Sequence, residues 1–328
     1  MRSFSYKDIS KLAKVSISTV SRYYNAGYVS KKTRAKIEKV VKENGYYPNN
    51  GARLIKGRSS SIFVIAPKVY DHSVSHIING IETSAETHQK KVFITHSEPT
   101  AIQYIETIRW CMAWKPNAIV FFLPKGDNTE IINFIKDQDL SITTVAFGDP
   151  IKGMNYVEVD VLNAFFSVTK MFYNYIENGQ KVVYADDLKL SQYQRESRFL
   201  GFKKACEELN IEYERYFIDN HKNSDVQKFQ KYLFDQNHVN VVCSTHESFI
   251  NLVSSNDNQL RLTDIGTHSI YDTQKKYKSK ILIDYRKVGA AIEKIIFDAE
   301  LKKQDKPNAY LEPVSVSVKP TVLSQKQV

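Results

Sequence analysis

The stretch Tyr6–Asn25, YKDISKLAKVSISTVSRYYN, leaves this chain little freedom. Ile9, Leu12, Ala13, Val15, Val20 and Tyr23 fall where two short helices can share one apolar core, while Lys7, Lys11, Ser18 and Arg22 fall outside it. The spacing predicts a helix-turn-helix. Ser16 stands where the second helix needs a cap, its hydroxyl placed to accept from the amide near Thr19. Ile17–Tyr24 then carries a face of short polar groups and one arginine. Short hydroxyls approach phosphates without pushing a helix out of a DNA major groove, and the Arg22 fork matches a guanine edge. An ordinary amphipathic helix pair would show the same core spacing, so the flanking residues decide.

Ser30–Asn44, SKKTRAKIEKVVKEN, predicts a third helix, capped by Ser30, striped with Ile37, Val40 and Val41, and stopped by Gly45 and Pro48. Charge points the same way. Residues 1–58 hold 14 lysines and arginines against 3 acids, a net of +11, whereas the other 270 residues hold 32 against 33. A basic head on a neutral body fits a polyanion, whose condensed counterions are released on binding. No apolar run approaches membrane-spanning length, and the polar N-terminus does not read as a signal peptide, so a cytoplasmic chain without a membrane partner is expected. Cys111, Cys206 and Cys243 are odd in number, widely spaced and flanked by apolar residues. They are expected to be reduced core thiols, with no disulfide framework, metal site or cofactor.

From Ser61 the pattern alternates. Short apolar runs at Ile62–Ala66, Val92–Thr95, Ala118–Leu123 and Thr143–Phe147 are separated by amphipathic stretches at Ile77–Thr87, Ile102–Ala113 and Thr129–Asp137. After Tyr156–Val159 the rhythm restarts: Leu162–Asn178, Val182–Ala185, Arg195–Leu209, Tyr213–Ile218, Val226–Gln236 and Val239–Cys243. A strand at Ile281–Asp284, a helix at Val288–Lys303 and a strand near Val314–Val318 are expected to complete the first half after the second has finished. Two doubly wound α/β lobes joined by crossovers would leave a cleft at their carboxyl strand ends, where open α/β sheets bind ligands.

Asp8, Ala13, Val15-Ser16, Ser18-Thr19-Val20-Ser21-Arg22, Asn25, Val29-Ser30, Thr33-Arg34 and the run Gly45-Tyr46-Tyr47-Pro48-Asn49 with Ala52-Arg53 resemble the N-terminal signature of LacI/GalR-family transcriptional regulators. The resemblance covers nearly the whole chain, although motifs thin out after Ala66. It implies an all-α helix-turn-helix head and an α/β, two-lobed, periplasmic-binding-protein-like core. The expected organisation is a head at 1–48, a hinge helix and linker at 49–60, and an effector-binding and dimerisation domain at 61–328, with lobe 1 at about 61–160 and 286–320 and lobe 2 at about 161–285. One departure stands at the turn, where the family usually has glycine and this chain has Lys14; a left-handed lysine there is modestly strained.

The resemblance also implies a sequence-specific regulator, a repressor of carbohydrate uptake or catabolism genes, acting as a homodimer on double-stranded operator DNA under a carbohydrate or sugar-phosphate effector. A purine corepressor is the alternative within the family. The DNA contacts expected are Ser16, Ile17, Ser18, Thr19, Ser21, Arg22, Asn25, Thr33, Asn49, Ala52, Arg53 and Ile55, with Ile55 as an apolar wedge in the minor groove. Arg198-Phe199-Leu200-Gly201-Phe202 matches the family's Arg-x-x-Gly-Phe element, whose arginine contacts sugar hydroxyls. With Arg198, the expected effector contacts are Lys68, Asp71, His72, Ser73, His246 and His268. Thr245-His246 and Gly266-Thr267-His268 replace Asn-Asp and an aspartate common in the family. Fewer acids, with Lys68, Arg195, Arg198 and the two histidines present, tilt the expectation toward an anionic ligand. An enzyme carrying a DNA-binding head is the competing class. The chain has no Walker loop, Gly-x-Ser-x-Gly or His-Glu-x-x-His, and Ser244-Thr245-His246-Glu247 places adjacent side chains where they diverge.

Overall fold

The computed structural model describes residues 5–24, 27–44, 61–68, 72–124, 126–138, 142–254, 259–305 and 311–325. The chain forms two units, Met1–Arg58 and Ser59–Val328.

The first unit holds α1 (Tyr6–Ala13), α2 (Ile17–Tyr24) and α3 (Lys31–Glu43). Ile9, Ala13, Val20, Ile37 and Val40 form its core, with Val15, Tyr23 and Val41 packed against them. Leu12, expected in that core, is exposed. In an eight-residue helix the inward stripe is set by Tyr6, Ile9 and Ala13, and Leu12 sits roughly a quarter turn off it. Lys14 ends α1 in the left-handed conformation, φ 54° and ψ 51°, so the strain expected at the turn is present. Ser30 caps α3, accepting from the Thr33 amide at 3.4 Å.

The second unit contains two six-stranded sheets. β1 (Ser61–Pro67), β2 (Lys91–Ser97), β3 (Ala118–Phe122), β4 (Thr143–Phe147), β5 (Asn155–Val159) and β11 (Ser315–Val318) make the first, ordered β11-β5-β4-β3-β1-β2 and wholly parallel. β6 (Val182–Asp187), β7 (Tyr213–Ile218), β8 (Asn240–Cys243), β9 (Arg261–Gly266), β10 (Ser279–Leu282) and β12 (Thr321–Ser324) make the second, ordered β12-β10-β9-β8-β6-β7, with only β12 antiparallel. Strands covered on both faces carry continuous apolar runs, as β1 and β3 do. Ile62, Val64 and Ala66 face α4 (His72–Thr87) and α12 (Tyr285–Asp305), while Phe63 and Ile65 face α5 (Ala101–Ala113) and α6 (Thr129–Asp137). Val182 and Tyr184 face α7 (Val161–Tyr173) and α8 (Gln192–Glu208); Val183 and Ala185 face α9 (Asn223–Asp235) and α10 (His246–Val253). The short α11 (Ile270–Thr273) follows β9.

One expectation is corrected. The strand expected at Ile281–Asp284 to complete the first half is instead part of β10 of the second sheet, which ends at Leu282, because Lys280 and Ile281 pair with Asp264 and Ile265 of β9; the chain returns to the first lobe only with α12. A further strand, β12, then carries it back to the second lobe beside β10. The lobes are thus joined three times, and Val159 and Tyr285, at two of the crossings, pack against the cores of both.

Helices cross closely where glycine removes the side chain. A Cβ on Gly289 of α12 would lie 2.1 Å from the Ile77 carbonyl oxygen of α4, and one on Gly201 of α8 would lie 2.1 Å from the Leu162 carbonyl oxygen of α7. Gly201→Ala is therefore expected to destabilise the chain by about 1–3 kcal/mol, as overpacking does, read as a lower midpoint in chemical denaturation.

Candidate functional site

On the head, α2 presents Ser16, Ile17, Ser18 and Arg22 to solvent, with Thr19 and Ser21 half-buried. The Ser16 hydroxyl accepts from the Thr19 amide at 3.1 Å and lies 2.7 Å from the Ser18 hydroxyl and 2.8 Å from that of Thr19. Three hydroxyls thus cluster at the amino end of α2, where helix amides already favour an anion such as a DNA phosphate. A Cβ on Gly27 would sit 3.2 Å from the Arg22 Cβ, so the small residue lets the chain pass beside the arginine stem. Thr33 is half-buried at the start of α3, taking a hydrogen bond from the Ser30 hydroxyl at 2.9 Å. Asn25, Asn49, Ala52, Arg53 and Ile55 lie outside the described residues.

In the second unit, the carboxyl ends of the strands bring several expected residues together. Arg198 projects from α8 and donates to the Ser244 carbonyl at the end of β8, with its guanidinium 5.9 Å from the Phe165 ring centre. Burial lowers its pKa, an effect opposed by Tyr184, Tyr285, Asp187 and Asp186 nearby. It is set among acids and aromatics, ready to donate. Asp186 lies near the end of β6; burial raises its carboxyl pKa although Arg215 pairs with it at 2.6 Å.

The remaining bases are matched by acids. Lys68 pairs with Glu98, His246 Nδ1 lies 2.7 Å from Asp264 Oδ1, and His268 Nδ1 lies 2.8 Å from Asp272 Oδ2. Of the five bases behind that expectation, Arg198 and Arg195 make no ion pair among the described residues, and the Arg195 guanidinium lies 5.7 Å from the Phe217 ring centre. The surplus of cations on which an anionic ligand was expected is thus mostly compensated within the protein. His268 is largely exposed and turned to Asp272 of the following helix, α11, and His72 is exposed at the start of α4, 6.3 Å from His76 ring to ring. Ser73 follows it, half-buried, and Asp71 lies outside the described residues.

The structure adds Asp149, which sequence reasoning missed. Ser191, the cap of α8, donates to Asp149 Oδ1 at 2.9 Å across the lobes, and Tyr193 donates to Glu158 of β5 at 3.0 Å. Nothing in Gly148-Asp149-Pro150 distinguishes it from a turn acid; only the approach of α8 does. Ser244-Thr245-His246-Glu247 forms no relay. Ser244 accepts from the Asp187 amide, Thr245 donates to the Asp187 carboxylate, His246 faces Asp264, and Glu247 pairs with Lys189. The cysteines are buried and unbridged, and burial pushes the Cys111 and Cys206 thiols up to about 12. Among the described residues no cluster suits a metal ion, and no helix is long and apolar enough to cross a membrane.

Burial raises the Asp149 carboxyl pKa, outweighing the Ser191 hydrogen bond. A raised carboxyl pKa means that the folded state binds the proton more tightly, so stability is lost as pH rises through it. Asp149→Asn keeps an acceptor for Ser191 without a charge to desolvate. Its thermal midpoint is expected to exceed that of the parent at neutral pH, with the gap closing in acid.

Residues 5–49 match the model of the family described as bacterial regulatory proteins, lacI family. The sucrose operon repressor of Staphylococcus xylosus is 31% identical over 131 residues, spanning 39% of this chain and 41% of that protein. The HTH-type transcriptional regulator RegA of Clostridium saccharobutylicum is 23% identical over 323 residues, 94% of this chain and 96% of that one. A crystal structure of the Lac repressor bound to ONPG in the repressed state superposes over 100% of both chains with a TM-score of 0.78 at 16% identity, a likeness of fold.

Proposed function

We propose that the chain is a member of the lacI family of bacterial regulatory proteins, a DNA-binding transcriptional repressor of carbohydrate genes controlled by a carbohydrate bound between its lobes, as the match at residues 5–49 and the likeness to regulators support. The observation that carries this reading is the exposed face of α2, hydroxyls at its amino end and Arg22 beyond them, on a unit that concentrates the positive charge of the chain. The cleft supports the effector half. Arg198, Asp149 and His246 offer a donor, an acceptor and an imidazole at facing strand ends, a mixture suited to hydroxyls. The sucrose operon repressor among its relatives makes sucrose the first carbohydrate to try. Lobes joined by three crossovers can close on such a ligand, and a ligand that prefers the closed state biases the equilibrium.

A homodimer completes the reading, because one helix-turn-helix spans few base pairs and two-fold proteins match two-fold sites. The edge of the first sheet supports it. β2 is the outermost strand, and Phe93 and Ile94 on it, with Trp110 on α5 and Trp114 just past its end, are exposed. Phe93 stacks on Phe63 at 5.1 Å, and Trp110 meets Phe63 edge-on at 6.1 Å, so the aromatics form one patch continuous with the core. Such a patch beside an unpaired strand edge suits a second copy of itself.

Thermal denaturation with a panel of sugars tests the function. A carbohydrate is expected to raise the midpoint without being consumed; a shift with purines alone, or turnover of the sugar, would contradict the reading. Arg22→Ala is expected to weaken operator binding by about 1–3 kcal/mol, roughly fivefold to 150-fold, and to narrow discrimination against scrambled DNA in fluorescence anisotropy. Phe93→Glu with Trp110→Glu is expected to convert the dimer to monomer in sedimentation, leaving the far-ultraviolet circular dichroism unchanged.

A further inference from the structure

Beneath the cleft of the second lobe lies a buried charge pair that neither DNA binding nor lobe packing requires. Asp264 of β9 and Lys280 of β10 are register partners on adjacent strands, both fully buried, with Lys280 Nζ 3.0 Å from Asp264 Oδ2 and 2.7 Å from Asp272 Oδ1. Two well-packed apolar residues would serve the sheet as well or better, since desolvating an ion pair costs several kcal/mol per ion. What the pair does support is His246. Its ring nitrogen Nδ1 meets the other oxygen of Asp264 at 2.7 Å, and its Cβ sits over Gly266, 3.9 Å from where a Cβ there would lie. The His246 side chain remains 36% exposed at the carboxyl strand ends.

An ionised carboxylate accepts and never donates, so the proton between Asp264 and His246 resides on Nδ1. Lys280 lies between Asp264 and Asp272, and Asp272 also accepts from the Ser269 amide at 3.2 Å that starts α11, so the second oxygen of Asp264 is taken and the first is left to His246. We propose that Asp264 and Lys280 are positioning residues that fix His246 as the neutral Nδ1–H tautomer, so that Nε2 faces the cleft as an acceptor and selects an effector presenting a hydroxyl there rather than a phosphate. The inference rests on the carbohydrate-cleft reading and sharpens it to uncharged, hydroxyl-rich ligands at this corner. The logic is that of a buried aspartate holding a histidine in one tautomer, where an amide in its place allows the other.

Two measurements separate this inference from the reading beneath it. Long-range nitrogen–proton correlation spectra of the labelled full chain at neutral pH report the His246 ring, assigned by the signals lost in His246→Leu. Wild type is expected to show protonated Nδ1 and bare Nε2, and Asp264→Asn/Lys280→Met, which removes both charges together, is expected to move the ring toward the Nε2–H form. A wild-type ring protonated on Nε2, alone or on both nitrogens, overturns the proposal. Calorimetry with sucrose and a sucrose phosphate is expected to show sucrose binding at least as tightly, with a loss of about tenfold in His246→Leu, the scale of one buried hydrogen bond. A phosphate preference that vanishes in His246→Leu overturns the proposal. If neither sugar binds, the choice of sucrose falls, and the tautomer measurement still decides this inference.

Discussion

The cleft depends on how closely α8 can lie against α7. Gly201 permits the contact, since any Cβ there would meet the Leu162 carbonyl, and Phe202 beside it anchors the helix in the core of the second lobe. Once seated, the helix aims its cap, Ser191, at Asp149 of the other lobe, Tyr193 at Glu158, and Arg198 at the Ser244 carbonyl. One backbone-to-backbone approach thus positions three cleft contacts, and a small shift in it would move all of them together. The Arg-x-x-Gly-Phe spacing gains a physical reason: arginine to the Ser244 carbonyl, glycine to the neighbouring helix, phenylalanine to the core.

Much of this was legible in the chain. Ser16, Ser30 and the stripe of Ile9, Val20, Ile37 and Val40 specify the head because capping and helical periodicity are local signals. The runs at β1, β3, β6 and β8 specify central parallel strands for the same reason. What stayed hidden is non-local. β9 reads RLTDIG, and the aspartate that interrupts its apolar run makes sense only beside Lys280, sixteen residues on in the sequence and adjacent in register. β12 is short and pairs with β10 across a crossover that no periodicity announces.

The site divided along the same line. Arg198 was singled out by the family resemblance of its Arg-x-x-Gly-Phe run, whereas Asp149 has no local mark and is revealed by Ser191 reaching across the lobes. Counting bases led toward an anionic ligand, because a sequence does not show which acids face which bases. Glu98 on Lys68, Asp264 on His246 and Asp272 on His268 turn a run of cations into a set of oriented donors and acceptors. On the proposed reading, that change moves the cleft from charge neutralisation toward hydroxyl recognition, where the geometry of each hydrogen bond counts for more than net charge.

The central claim is that a two-fold protein reads DNA sequence through α2 under the control of a sugar. Selection of bound duplexes from a random pool by the full-length chain, repeated with sucrose present, tests it most directly. The account predicts enrichment of a pseudo-palindrome of two half-sites and a change in recovered duplex when the sugar is added. Recovery without any sequence preference, or of a single unrepeated half-site indifferent to every carbohydrate tried, would contradict it.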